Sequence, residues 1–227
     1  MTTLTPATLR VHRWQRAAAV LAVVLVSGCE ALRPVVAPHP NFFSLADARK
    51  PGPRVSRVPA TAPTLVVSPP HAAAGFDSQH MMYSRHASQL EYYAQNEWID
   101  TPARMLAPLI VTAVEDSGVF RAVVQSPSIA AADIRLDTEI MRLQHEFLST
   151  PSRVRFTLRA YLVDNATRRV LASREFEAVA AAPSDDPHGG VIAAHEAVRS
   201  VLEELAAFCA ETARSATPRS ATDAAPR

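Results

Sequence analysis

The sequence predicts an α+β fold: a two-layer sandwich in which a mostly antiparallel sheet carries two helices on one face. Three observations predict it. Extended segments follow one another with apolar and polar side chains alternating, and two longer stretches repeat apolar residues at helical spacing. The region between residues 64 and 210 holds roughly 150 residues, a size that supports one hydrophobic core.

The first strand of this region is Thr64 to Ser68 (TLVVS), ended by Pro69-Pro70, which cannot donate to a ladder. Met81 to His86 and Leu90 to Ile99 form a hairpin across Ala87, Ser88 and Gln89. A helix follows. Thr101 is placed to cap it, Pro102 suits its first turn, and Leu106, Leu109, Ile110 and Ala113 line one face. Gly118 ends it, and Pro108 either kinks it or marks its true start.

Strands are then expected at Val119 to Gln125, Ala132 to about Phe147, Arg153 to Asp164 and Val170 to Ala178. Alternation is cleanest in Arg153 to Ala160, with Val154, Phe156, Leu158 and Ala160 on the core side. In the preceding strand the phase changes between Ile140 and Leu143, which predicts a bulge near residue 140. The last helix, about His188 to Ala210, buries Val191, Ala194 or His195, Val198, Val201 or Leu202, Leu205 and Phe208.

The ends of the chain carry different signals. Arg10, Arg13 and Arg16 precede Ala17 to Val26, ten residues without a charge, as in a secretory signal over residues 1–28. That run is too short for a permanent membrane span, which needs about 20 apolar residues. Val26-Ser27-Gly28-Cys29 resembles the bacterial lipobox, which implies cleavage before Cys29 and covalent attachment of diacylglycerol and acyl lipid to its thiol. Residues 29–63 are rich in Pro and Ala and read as a tether, within which Asn41-Phe42-Phe43-Ser44-Leu45 is an apolar island and a candidate edge strand. Residues 211–227 bury little and read as a disordered tail.

Removal of the signal takes away three of the 23 basic side chains and none of the 22 acids, leaving the mature chain nearly neutral. No basic excess invites nucleic acid. Cys209, the other cysteine, has no partner once Cys29 is acylated, and its apolar helical setting marks it as a buried small hydrophobe.

Among candidate chemistries, the eight histidines are spaced unlike a chelate, so no metal site is expected. Asp185-Asp186 stand where a helix N-terminus wants acids. No G-x-S-x-G elbow or phosphate loop occurs, and no nucleophile with a positioned base is visible; a non-catalytic chain without cofactor is expected. Arg153, Arg155 and Arg159 alternate on one strand beside a strand with Asp133, Asp137 and Glu139. Cross-strand ion pairs account for both sets, and a partner's acidic surface is the sharper reading. Tyr92, Tyr93 and Trp98 concentrate aromatics on the hairpin, where half should be core and an exposed remainder would anchor a partner.

Several segments together carry a resemblance: Gly75-Phe76-Asp77-Ser78, Met82-Tyr83-Ser84-Arg85, Leu90-Glu91-Tyr92-Tyr93, Trp98 followed by Pro102, Ser117-Gly118-Val119-Phe120, and Arg174-Glu175-Phe176. Over about residues 42 to 209 the chain resembles the ABC-type transport auxiliary lipoprotein family, which includes the paraquat-inducible protein C type. The resemblance implies an accessory subunit of a lipid or phospholipid transport system with an MCE-domain (mammalian cell entry) protein, an integral permease and a cytoplasmic ATPase. It implies docking on the periplasmic MCE component, linkage to the membrane by lipid, and no catalytic motif. It also allows copies to assemble as a homo-oligomer around the MCE component. The tether and tail depart from the family pattern and leave the partner geometry open. Glu30, in place of the Asp that retains some lipoproteins in the inner membrane, points to the outer membrane and the periplasm. The alternative is a structural envelope lipoprotein that recruits other components without a role in transport.

Overall fold

The strict alternation of Arg153 to Asp164 becomes β8 (Arg153–Asp164), the strand around which the domain is organised. In a computed structural model that describes residues 39–48, 58–128 and 131–216, β8 lies between β7 (Ile134–Glu146) and β9 (Val170–Ala181), antiparallel to both. Val154, Phe156, Leu158, Ala160 and Leu162 point into the core. Ile140 and Arg142 oppose the consecutive residues Leu158 and Thr157, so Met141 is an extra residue. This bulge moves the inward phase of β7 from Ile134, Leu136 and Ile140 to Leu143 and His145, as the change of phase in the sequence predicts.

The far edge of β7 is covered in sections by three short parallel strands. They are β2 (Thr64–Val67), β3 (His71–Ala72) and β4 (His80–His86). Pro69 and Pro70, which lack an N–H, separate the first two. β4 pairs antiparallel with β5 (Gln89–Trp98), and β6 (Ala122–Gln125) adds to β2 in parallel. The long pairings are thus antiparallel, and the parallel ones are short. β1 (Asn41–Phe43) lies parallel to β5 at the edge of the sheet.

Helix α1 (Pro102–Asp116) turns Met105, Leu106, Leu109, Ile110 and Val114 inward and leaves Pro108 exposed. The helix runs through Pro108, whose missing N–H costs least on the wet side. Thr101 occupies the cap position without a capping side-chain bond, and Asp100 Oδ1 instead accepts the Thr101 N–H at 2.8 Å. Gly118 follows with φ +64°, a conformation other residues adopt at a cost. Helix α2 (Pro187–Ala216) packs on β8, β9 and α1. Its buried stripe holds Val191, Ala194, Val198, Val201, Leu205 and Phe208, with the Phe208 ring 5.6 Å from that of Phe176. Both helices cover one face of the sheet, giving the α+β sandwich.

The domain reaches beyond the expected bounds of 64 and 210 at both ends. Asn41–Phe43 pairs with β5, Leu45 and Ala48 are buried, and α2 continues to Ala216 with Ala213 inside. A short apolar island in a proline-rich stretch and an alanine-rich helix end both bury more than their composition suggests. The signal segment, Cys29 and the tail from residue 217 lie outside the described residues. Among the described residues, no helix is long and apolar enough to cross a membrane.

Candidate functional site

The open face of the sheet divides into an ionic half and an aromatic half. On β7, β8 and β9 the outward side chains form three groups of ion pairs, centred on Arg155, Arg159 and Arg135. Arg155 grips Glu146 with two parallel bonds, Nε to Oε1 at 2.9 Å and Nη2 to Oε2 at 3.2 Å, and also reaches Glu177. The hydrogen bond that Arg155 donates to Glu146 is the largest influence holding its guanidinium above its ordinary pKa. Glu177 accepts the Thr157 hydroxyl as well. Arg159 bonds Glu175 at 2.8 Å and approaches Glu139 at 3.7 Å. Arg135 pairs with Asp137, which also accepts the Ser68 hydroxyl.

The expected cross-strand pairing is therefore realised with different partners. Only Glu139 of the three expected acids meets one of the three arginines. Asp137 is held by Arg135, and Asp133 accepts the Thr64 N–H at 2.8 Å. The cause is geometric: β9 brings Glu175 opposite Arg159, and beyond the bulge Glu146 comes within reach of Arg155. Arg153 is exposed and has no ion pair among the described residues.

On the hairpin, the three aromatics separate. Trp98 is 4 % exposed and belongs to the core, because its register partner Phe43 faces inward as well. Tyr93 is half-buried, and its hydroxyl meets His145 Nδ1 at 3.0 Å; burial pushes its phenol pKa up. Only Tyr92, 55 % exposed and stacked on His80 with centroids 4.3 Å apart, can meet a partner face on. Trp98 and Tyr93 are thus corrected from contact candidates to packing residues.

Sequence reasoning missed a buried polar link beneath this hairpin. His145, on the inward side of β7, places Nε2 2.8 Å from Ser152 Oγ, and its ring packs on Phe147 and against Gly190. Ser152 N–H donates to Asp185 Oδ1 at 2.8 Å, and Asp186 Oδ1 accepts the Gly189 N–H at the start of α2. One acid ties down the β7–β8 loop and the other caps the helix. A hydroxyl beside an imidazole invites comparison with a nucleophile and base. Here Ser152 is 0 % exposed, and Asp185 binds its backbone rather than orienting the imidazole. The adjoining cavity, about 10 Å³ and lined by Met81, Tyr93, Trp98, Leu143 and Ala194, has room for about one water molecule. The only periodic signal for this link was the inward phase of His145 after the bulge.

His195 Nε2 donates to the Ser44 carbonyl at 2.8 Å, fastening α2 to the segment after β1. Among the described residues, no three His, Cys, Asp or Glu side chains converge to hold a metal ion.

Comparison with known proteins gives a consistent result. The sequence model of the family described as ABC-type transport auxiliary lipoprotein component matches residues 43–206. A crystal structure of a Xanthomonas campestris protein assigned to the DUF330 family superposes with a TM-score of 0.62 at 25 % identity, covering 69 % of this chain and 91 % of that one. A second crystal structure, of an uncharacterized protein, superposes with a TM-score of 0.56 at 12 % identity, covering 77 % and 98 %, and supports the fold alone. No curated protein matches the sequence.

Proposed function

The chain belongs to the ABC-type transport auxiliary lipoprotein component family, and from that premise we propose that it is the non-catalytic, lipid-anchored accessory subunit of an MCE-associated lipid transport system. In this reading Cys29 carries diacylglycerol and an acyl chain, the domain lies in the periplasm, and it docks on the MCE component beside the permease. The ATPase is reached only through them. The anchor leans to the outer membrane because Glu30, not Asp, follows Cys29.

The observation that carries the reading is the extent of the family match, which spans nearly all the described fold from β1 into α2. Two features of the site support a docking rather than a catalytic role. The one hydroxyl–imidazole pair described above is sealed in the core. The outward surface instead offers Arg153, exposed and without an ion pair among the described residues because its register neighbour Glu146 is held by Arg155, next to arginines already neutralised by glutamates. A guanidinium left free in this way suits an acidic patch on a partner.

The test is co-purification of the tagged, lipidated chain from detergent-solubilised membranes, with mass spectrometry of what accompanies it. Recovery of an MCE protein with its permease and ATPase, reduced when Arg153→Glu is introduced, is the expected result. Recovery of none, under conditions that keep another envelope complex intact, would defeat the proposal.

A further inference from the structure

The outer face of the sheet is ionic across β7, β8 and β9 but apolar at its other end. Phe42 and Glu97 are register partners on the side opposite the core pair Phe43 and Trp98. Glu97 in turn opposes His80, and Tyr92 stacks on His80, so Phe42, His80 and Tyr92 form one row across β1, β4 and β5. Ile99 follows core Trp98, is held beside β1 by its N–H to the Phe43 carbonyl at 2.7 Å, and is exposed next to Phe42's strand. Phe42, Tyr92 and Ile99 are 54 %, 55 % and 56 % exposed. Three large apolar side chains at this exposure on one small surface are more than scattered surface residues. The row contains one carboxylate, Glu97, and that lies against His80 at 4.0 Å.

β1 is also where the domain joins the segment that leads back to Cys29. Twelve residue steps separate Cys29 from Asn41, so a fully extended chain holds the start of β1 within about 40 Å of the thiol. No other edge of the sheet is on so short a leash. Apolar and aromatic side chains with a polar tip are the types that settle at a headgroup boundary, where Tyr keeps its hydroxyl wet and Phe and Ile leave water. We infer that Phe42, Ile99 and Tyr92 form a membrane-contacting patch, which seats the domain on the lipid surface that holds its anchor. The ionic half of the same face, on β7, β8 and β9, lies beyond the patch. This inference rests on lipidation of Cys29.

The test uses the mature lipidated chain in vesicles of phosphatidylethanolamine and phosphatidylglycerol with brominated acyl chains. One variant carries Phe42→Trp and another Val179→Trp, the latter an exposed position on the same outer face but on β9. Trp98 is buried and gives both variants the same background. Several-fold stronger quenching of the Phe42→Trp chain is expected. Equal quenching, or none in either, overturns the patch while leaving the anchor intact. Intact mass measured on the same sample separates the two ideas: an unmodified Cys29 with the chain left in the supernatant overturns the anchor and the patch together. A third outcome, no difference in vesicles but loss of a co-purified protein on Phe42→Glu, assigns the row to a protein partner and also overturns lipid contact.

Discussion

His145 and Ser152 face each other at 2.8 Å across the end of the β7–β8 hairpin, and both are closed off from solvent. Burial lowers the His145 pKa, and the nearby Asp185 and Asp186 carboxylates only partly oppose it. In the unfolded chain the imidazole takes a proton near its ordinary value of about 6.5. Between that value and the lower folded one, the unfolded state binds more protons, so stability falls as pH falls. The contribution is fully present above the unfolded pKa and is lost downward from about pH 7. Thermal melts of the mature chain should therefore drop between pH 7 and pH 5. His145→Gln should melt lower throughout and lose part of that slope; an unchanged slope would remove His145 as its source.

Gly190 supplies the space that this imidazole occupies. A methyl group placed there would lie 2.5 Å from His145 Nδ1. In an exposed helix, Gly→Ala is favourable by about 1 kcal/mol. Here overpacking should reverse the sign and leave Gly190→Ala destabilised by roughly 1–3 kcal/mol. In a His145→Ala background the obstacle is gone, so the same substitution should become neutral or stabilising. A double-mutant cycle by urea unfolding reads this directly, and additive effects would contradict it.

The parts of this fold that were legible in the sequence are those set by local pattern. The alternation of Val154, Phe156, Leu158 and Ala160 fixed the inward face of β8, and the phase slip between Ile140 and Leu143 located a bulge at Met141. The partners of Arg155 and Arg159 were not legible, because three of their four carboxylates come from the far end of β7 or from β9, and the register beyond a bulge is a tertiary fact. The core role of Trp98 was hidden for the same kind of reason. Its cover comes from β1, thrown back from a proline-rich stretch that composition alone reads as a spacer. His145 and Ser152 each look ordinary in sequence, and their meeting depends on the turn between β7 and β8.

Cys209 offers a probe of global opening. It is fully buried in α2, and burial pushes its thiol pKa up to about 12. Thiolate is the reactive form, so the native chain presents little of it at neutral pH. A maleimide or aromatic disulfide reagent should leave Cys209 unmodified in the native mature protein and label it completely in denaturant. Rapid native labelling at this residue would mean that α2 detaches from β8 and β9 without global unfolding.

The arginines of β8 make the sharpest contrast, because three residues of one type on one strand have different surroundings. Arg155 holds Glu146, whose side chain is only 11 % exposed, with two charge-assisted bonds and reaches Glu177 as well. Its removal strands Glu146 with little water to replace the lost donors. Arg155→Met should therefore cost on the order of 1–3 kcal/mol, the penalty of an unsatisfied, partly buried charged group. Arg159 pairs in a more open setting, where water screens the ion pairs and salt weakens them further, so Arg159→Met should cost less than Arg155→Met. Arg153 has no such partner among the described residues, so Arg153→Ala should change stability by less than about 0.5 kcal/mol. Urea melts of the three single variants test the order, and adding Glu146→Gln to Arg155→Met should recover part of the loss. If Arg153→Ala were instead the costliest, the ion-pair arrangement on this face would be wrong; if it were neutral for stability yet lowered recovery of a partner, Arg153 would be serving recognition rather than the fold.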